Sequence, residues 1–275
     1  MTTTDTRNKD LFYFENALKE QTDLFFENLP QELAEGIKYA VMGGGKRIRP
    51  QLCFMSARFL DIDINEVIDF AIAIEFIHTY SLIHDDLPGM DNDDFRRSKP
   101  TVHKAYGECN AILAGDALLN AGMEILLKKC AKSAKYAKSC RFIASCAGAN
   151  GMIGGQAWEF SLKNYTKNDI IKIAMKKTAA LITASVMAPA LISNDTEKMA
   201  ALNTYSQYLG LCFQIADDII DVNKHEQNSF VTVCGMEETK KILKDTTQKA
   251  VDSLIKWDES AELIEFCKKL SNRNK

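Results

Sequence analysis

Two short stretches crowd carboxylates together: DDLPGMD at residues 85–91 and DDIID at residues 217–221. Every Asp is ionised at neutral pH, and adjacent carboxylates repel one another unless a cation sits among them. Hard divalent ions such as Mg²⁺ take oxygen ligands and share them with a substrate's phosphates. The pattern therefore points to a dinuclear or trinuclear Mg²⁺ site that clamps a diphosphate. On a helix, Asp217 and Asp221 lie one turn apart on one face, with Gln214 a turn earlier near that face, while Asp218 turns about 100° away. This second cluster sits inside FQIADDIIDV, an apolar helical run where charge is costly without a partner. An Asp-rich helix end can also be a plain solvated cap, a reading that suits one cluster better than two.

Basic residues complement the acids. GGGKRIRP (residues 43–50) sets Lys46, Arg47 and Arg49 behind three glycines, whose backbone can approach a phosphate closely. It lacks the full P-loop pattern, so an ATP site is a poor reading. FRR (residues 95–97) places Arg96 and Arg97 just after the first acidic cluster, and guanidinium forks bind phosphate oxygens in bidentate fashion. Either element, taken alone, also reads as solvated basic surface. His78 lies seven residues before Asp85, two turns along the same helix face. Alone, it reads more simply as a core histidine than as a ligand.

The elements that must hold these residues read as helices nearly throughout. Apolar side chains recur with helical spacing over Val67–Asp86, Asp169–Ile192 and Thr204–Val222. Five prolines (Pro30, Pro50, Pro88, Pro100 and Pro189) sit at plausible helix starts or breaks. Strand alternation is hard to find, and no linker or short repeat divides the chain. An all-α fold in a single domain over residues 1–275 follows, with the helices that carry both clusters apolar around much of their circumference and hence buried. The 275 residues are 46% hydrophobic and 26% charged, enough for a sizeable core, and the net charge of −3 argues against a nucleic-acid binder. The first residues lack the apolar centre of a signal peptide, and no run approaches the roughly 18 apolar residues of a membrane span. Eight scattered cysteines without a C-x-x-C pair read as reduced thiols of a cytoplasmic protein.

The stretch EFIHTYSLIHDDLPGMDNDDFRR (residues 75–97), with GGGKRIRP before it and FQIADDIIDV after it, resembles the trans-prenyltransferases, and among them the bacterial farnesyl diphosphate synthases (geranyltranstransferases). AILAGDALL (111–119), GMIGGQ (151–156) and KKTAAL (176–181) carry the same resemblance. It implies an isoprenoid synthase fold, a bundle of mostly antiparallel helices around a deep central cavity, usually as a homodimer. It also implies Mg²⁺-dependent head-to-tail condensation of isopentenyl diphosphate with dimethylallyl or geranyl diphosphate, mainly to farnesyl diphosphate. Carried over residue by residue, Asp85, Asp86 and Asp91 would hold two Mg²⁺ and Asp217 with Asp221 a third, with Mn²⁺ as a substitute. Lys46, Arg49, His78 and Arg97 would bind the isopentenyl diphosphate. Arg96, Lys177, Thr178 and Gln214 would contact the allylic substrate, Lys177 and Gln214 joining the aspartates in catalysis. Tyr80, with the small Ser81 beside it, would set chain length, an aromatic there going with a C15 product.

The chain also departs from that pattern. The loop after Val222 is shorter than is usual, with Lys224 and His225 its nearby cations and Gln227 or Asn228 where a lysine is expected. Arg273 and Lys275 could compensate for the missing charge. Glu159 stands where an Asp is usual, and Ile215 and Ala216 precede the second DD. A class I terpene cyclase, a non-catalytic or weakly active partner subunit, and a geranyl or geranylgeranyl product remain as alternatives.

Overall fold

The computed structural model describes residues 3–222 and 228–273, which fold into two compact units. The first comprises the chain up to Gln51 together with Asn65–Ala134. It contains α1 (Thr3–Phe26), α2 (Gln31–Met42), the first turn of α3 (Ile48–Phe59), α4 (Ile64–Asp85), α5 (Val102–Tyr106) and α6 (Glu108–Lys132). The second comprises Leu52–Ile64 and the chain from Lys135. It contains the rest of α3, then α7 (Ala137–Ala147), α8 (Met152–Ser161), α9 (Lys167–Ala174), α10 (Ala180–Ala190), α11 (Thr196–Ile220), α12 (Phe230–Cys234), α13 (Met236–Leu254) and α14 (Ala261–Ser271). The all-α expectation holds among the described residues, apart from a two-residue antiparallel hairpin, β1 (Phe95–Arg96) with β2 (Lys99–Pro100).

In the first unit α4 is the core. Its buried residues, Val67 through Ile83, cover all sides of the helix, as expected for a central element. No Gly or Pro interrupts it until Pro88 and Gly89 stop it. α6 packs tightly on α4 because two of its residues have no side chain. A Cβ on Gly115 would fall 2.0 Å from His84 Nε2, and one on Gly122 would fall 3.0 Å from Ile77 Cγ1. Hydropathy by itself needs a correction here. Both α4 and α6 are long and apolar enough to cross a membrane by length and composition. Most of α4's apolar window is nonetheless buried within the protein.

In the second unit the periodic run over Asp169–Ile192 is not one regular helix. α9 begins at a capping box in which Thr166 and Asp169 satisfy each other's backbone N–H groups. A π-helical turn, Met175–Ala179, then interrupts the run before α10 resumes it. Pro189 lies inside α10, one residue before its end, and not at a break. α11 is N-capped by Asp195, whose side chain accepts from Lys198 N.

Candidate active site

Four backbone hydrogen bonds shape the loop after α4. Leu87 N donates to His84 O, Met90 N to Leu87 O, Asn92 N to Leu87 O, and Asp91 N to Asp85 O at 2.9 Å. Asp91 is thereby folded back against Asp85. Asp86 behaves differently. It is buried, and Arg96 grips both its oxygens, with Nε at 2.8 and 2.9 Å and Nη2 at 2.6 Å. Burial pushes the Asp86 carboxyl above the ordinary carboxylate range although Arg96 pulls it down. Arg97 and Ser98 both take positive φ, 53° and 61°, at the hairpin turn, the backbone that a two-residue type I′ connection requires. That turn lays the Arg97 guanidinium on the glycine loop. Its Nη1 donates to Gly44 O, and a Cβ on Gly45 would meet the guanidinium at 2.8 Å.

His78 sits amid this basic group. It is half-buried by surface area. Its pKa lies well below the usual 6.5, first through desolvation and then through the charges of Arg49, Arg97, Arg96 and Arg47. The imidazole is therefore neutral at pH 7, available as one donor and one acceptor. Arg49 is buried and Lys46 is exposed on the same loop. Arg47 does not belong with them as a phosphate ligand. It is 4% exposed and bonded to Glu75 Oε1 at 2.7 Å, Glu15 Oε1 at 2.7 Å and Val41 O at 2.7 Å. The buried Glu75 and the partly exposed Glu15 thus hold Arg47 as a strut under the loop. Glu75, a lone acid in an apolar helical stripe, was the sequence signal for such a partner.

Tyr80 is buried one and a half turns before the end of α4, with its ring edge-on to His84 at 5.8 Å. Its hydroxyl is pushed up to about 12, mainly by burial and secondly by the charge of Asp85. Ser81 turns its hydroxyl back to His78 O at 2.9 Å.

In the second unit Lys177 and Thr178 lie in the π-turn, an arrangement frequent at functional sites because it breaks the regular ladder. GMIGGQ explains how that turn is seated. A Cβ on Gly155 would fall 2.2 Å from Lys177 N, so only glycine lets α8 approach so closely. Glu159, on the same helix, forms an ion pair with Lys177, while its carbonyl accepts from Tyr165 OH. Thr178 Oγ1 donates to Gln214 Oε1 at 2.6 Å. Gln214 Nε2 continues the chain to Asp218 Oδ1 at 2.7 Å, and Asp218 Oδ2 accepts from Phe230 N at 2.6 Å. Gln214 therefore works with Asp218, one turn on, and not on the Asp217–Asp221 face expected from spacing. Asp218 is a buried cap for α12. Asp217 and Asp221 keep the expected one-turn relation, with Asp221 N donating to Asp217 O at 2.8 Å. Arg273, beyond α14, places Nη2 2.5 Å from Asp217 Oδ1. Lys224, His225, Gln227 and Lys275 lie outside the described residues, and Asn228 is exposed.

The donor chemistry fits Mg²⁺. Asp85, Asp86, Asp91, Asp217 and Asp221 offer carboxylate oxygens alone, with no thiolate or imidazole to favour a softer ion, although Asp86 is held by Arg96. Among the described residues no group of three or more His, Cys, Asp or Glu stands close enough to enclose a metal. Mg²⁺ commonly keeps waters and takes the rest of its shell from phosphate.

The sequence profile of the polyprenyl synthetase family matches residues 30–234. The chain belongs to the polyprenyl synthetase family. It is 35% identical over 266 residues to a farnesyl diphosphate synthase of Micrococcus luteus, covering 90% of each chain. It is 34% identical over 267 residues to geranylgeranyl pyrophosphate synthase 4 of Arabidopsis thaliana, covering 89% of this chain and 72% of that one. The crystal structure of a geranyltransferase from Legionella pneumophila superposes with a TM-score of 0.88 at 30% identity, covering 99% of both chains. This member of the family is a prenyltransferase with the all-α fold of its structural neighbours.

Proposed function

We propose that this prenyltransferase condenses isopentenyl diphosphate head to tail with dimethylallyl or geranyl diphosphate, releasing pyrophosphate and giving mainly farnesyl diphosphate. The observation that carries the reading is the group of arginines around a neutral His78, built beside the carboxylate end of α4. Such a concentration of cations suits a diphosphate, and the neighbouring carboxylates suit the ions that accompany a second one. Asp85, Asp86, Asp91, Asp217 and Asp221 would hold Mg²⁺, three ions per site with Mn²⁺ as a substitute, which when bound neutralises the departing diphosphate and makes it a better leaving group.

Lys46, Arg49, Arg97 and His78 hold the isopentenyl diphosphate. His78 serves as a neutral hydrogen-bond donor, so it adds no repulsion to the arginines. Arg96, Lys177, Thr178 and Gln214 hold the allylic diphosphate, Lys177 being oriented by Glu159. The apolar walls supplied by α4 keep water from the allylic cation that forms when the C–O bond breaks. The isopentenyl double bond attacks that cation, and the proton then lost leaves with the pyrophosphate. Tyr80 closes the floor beneath the reacting carbon. The relatives' names include both C15 and C20 synthases, so product length rests on this residue. The same proposal takes the chain as a single catalytic domain, a homodimer in the cytoplasm, with no nucleic-acid partner and no membrane span. Incubation with isopentenyl and dimethylallyl diphosphates, Mg²⁺ and product chromatography tests it. A C15 product from the native chain and longer products from Tyr80→Ala are expected. Absence of any condensation would defeat the reading, and unchanged products from Tyr80→Ala would reduce Tyr80 to core packing.

A further inference from the structure

We propose that Arg273 is a positioning residue of the second carboxylate cluster: it holds Asp217 through Oδ1 and competes with a divalent cation for that carboxylate. The inference rests on the reading of Asp217 as a metal ligand. The contact is short, 2.5 Å from Nη2 to Oδ1, and the arginine side chain is only 13% exposed. The guanidinium is also fixed from two further directions. It lies 4.4 Å over the Phe213 ring, and Nη2 donates to Phe213 O at 3.1 Å. Its Nε is buried and has no acceptor among the described residues, so the fork is only partly used in this state.

The delivery of Arg273 is built into the fold. Thr247 Oγ1 on α13 donates to Ser271 Oγ at 2.8 Å, and Ser271 Oγ donates to Cys267 O at 3.0 Å. The end of α14 is thereby tied to α13, and Asn272 N closes the last turn on Lys268 O. Arg273 then reaches α11 one turn before Asp221. Two cations cannot share one carboxylate oxygen at full strength, because they repel at contact distance. Arg273 therefore keeps Asp217 compensated and oriented, at the expense of metal affinity.

The test is direct titration of the full chain with Mn²⁺ alone, free ion being read by electron paramagnetic resonance. Losing one charge-assisted contact should tighten Mn²⁺ binding in Arg273→Ala about threefold or more, with Arg273→Lys close to native. Circular dichroism confirms that the variants fold. An unchanged or weakened Mn²⁺ affinity in Arg273→Ala overturns the proposal. Asp217→Ala separates the two ideas. If that variant loses a Mn²⁺ site while Arg273→Ala binds as the native chain does, only the role of Arg273 falls. If Asp217→Ala binds Mn²⁺ as the native chain does, the metal-ligand reading of Asp217 falls.

Discussion

Neighbouring aspartates in the second cluster have opposite tasks, and substitution should separate them. Asp217 is partly exposed and contributes charge, whereas Asp218 is 4% exposed and holds Phe230 N and Gln214. Asp217→Ala, like Asp85→Ala in the first cluster, should lower kcat by two or more orders of magnitude, about 3 kcal/mol of barrier, with the helical spectrum unchanged. Asp218→Ala should instead lower stability by about 1–3 kcal/mol, because a buried N–H and amide lose their acceptor. Parallel kinetics and thermal unfolding decide, and near-native turnover in both Asp85→Ala and Asp217→Ala would defeat the two-cluster mechanism. His78 gives a pH prediction of definite sign. Its pKa in the fold is below the usual 6.5, so below that pH the unfolded chain binds a proton that the fold refuses. Its contribution to stability is therefore whole above about pH 6.5 and lost as pH falls toward the lower folded value. His78→Gln should flatten the fall of Tm between about pH 6.5 and 5. An equally steep fall in that variant would place the titrating group elsewhere.

At the scale of elements, α8 and the π-turn work as one piece. Gly155→Ala puts a methyl against backbone atoms, 2.2 Å from Lys177 N and 2.7 Å from its Cα, which cannot swing aside as a side-chain tip can. The two elements must separate, at an expected stability cost of about 1–3 kcal/mol. Lys177 moves with its turn, so KM for the allylic substrate should rise by more than KM for isopentenyl diphosphate. Equal changes in both constants would mean that the turn does not serve the allylic site. The π-turn itself could not be read from sequence, because one inserted residue barely disturbs an apolar period of 3.6. α4 and α11 could be read to within a few residues at the site end, since an apolar run ends where Pro88 follows or where acids enter it. Lys46, Arg47 and Arg49 look alike behind the glycines until Glu15 and Glu75 enclose Arg47. Periodicity reports which face of a helix is buried, not which distant residue meets it. Arg273 and Asp217, 56 residues apart, could be paired only in the folded chain.

For the whole molecule, hydropathy left α4 and α6 indistinguishable, and burial separates them. The apolar window of α4 is 72% buried, whereas that of α6 is 44% buried. On α6, Leu113 and Leu127 are 46% and 69% exposed. They stand fourteen residues apart, close to four turns, and so share one face. Two exposed leucines on one face do not by themselves make a contiguous apolar patch, but they would suit a face that another body covers. A lipid phase suits α6 poorly, because Lys129 within it is buried against Asp69 at 3.0 Å and Asp116, Glu124 and Lys128 add charge along its length. A second copy of the chain would cover such a face without burying those charges in hydrocarbon, in keeping with the proposed homodimer. Leu127→Arg should then turn a dimer into a monomer at micromolar concentration. Each protomer would lose an apolar contact of about 1.5–3 kcal/mol and would bring a charge to a dry surface, twice over by symmetry. Light scattering on the eluting protein reads the mass directly. A native chain that elutes as a monomer, or a Leu127→Arg variant that stays dimeric, would show that α6 is not the face on which two copies meet.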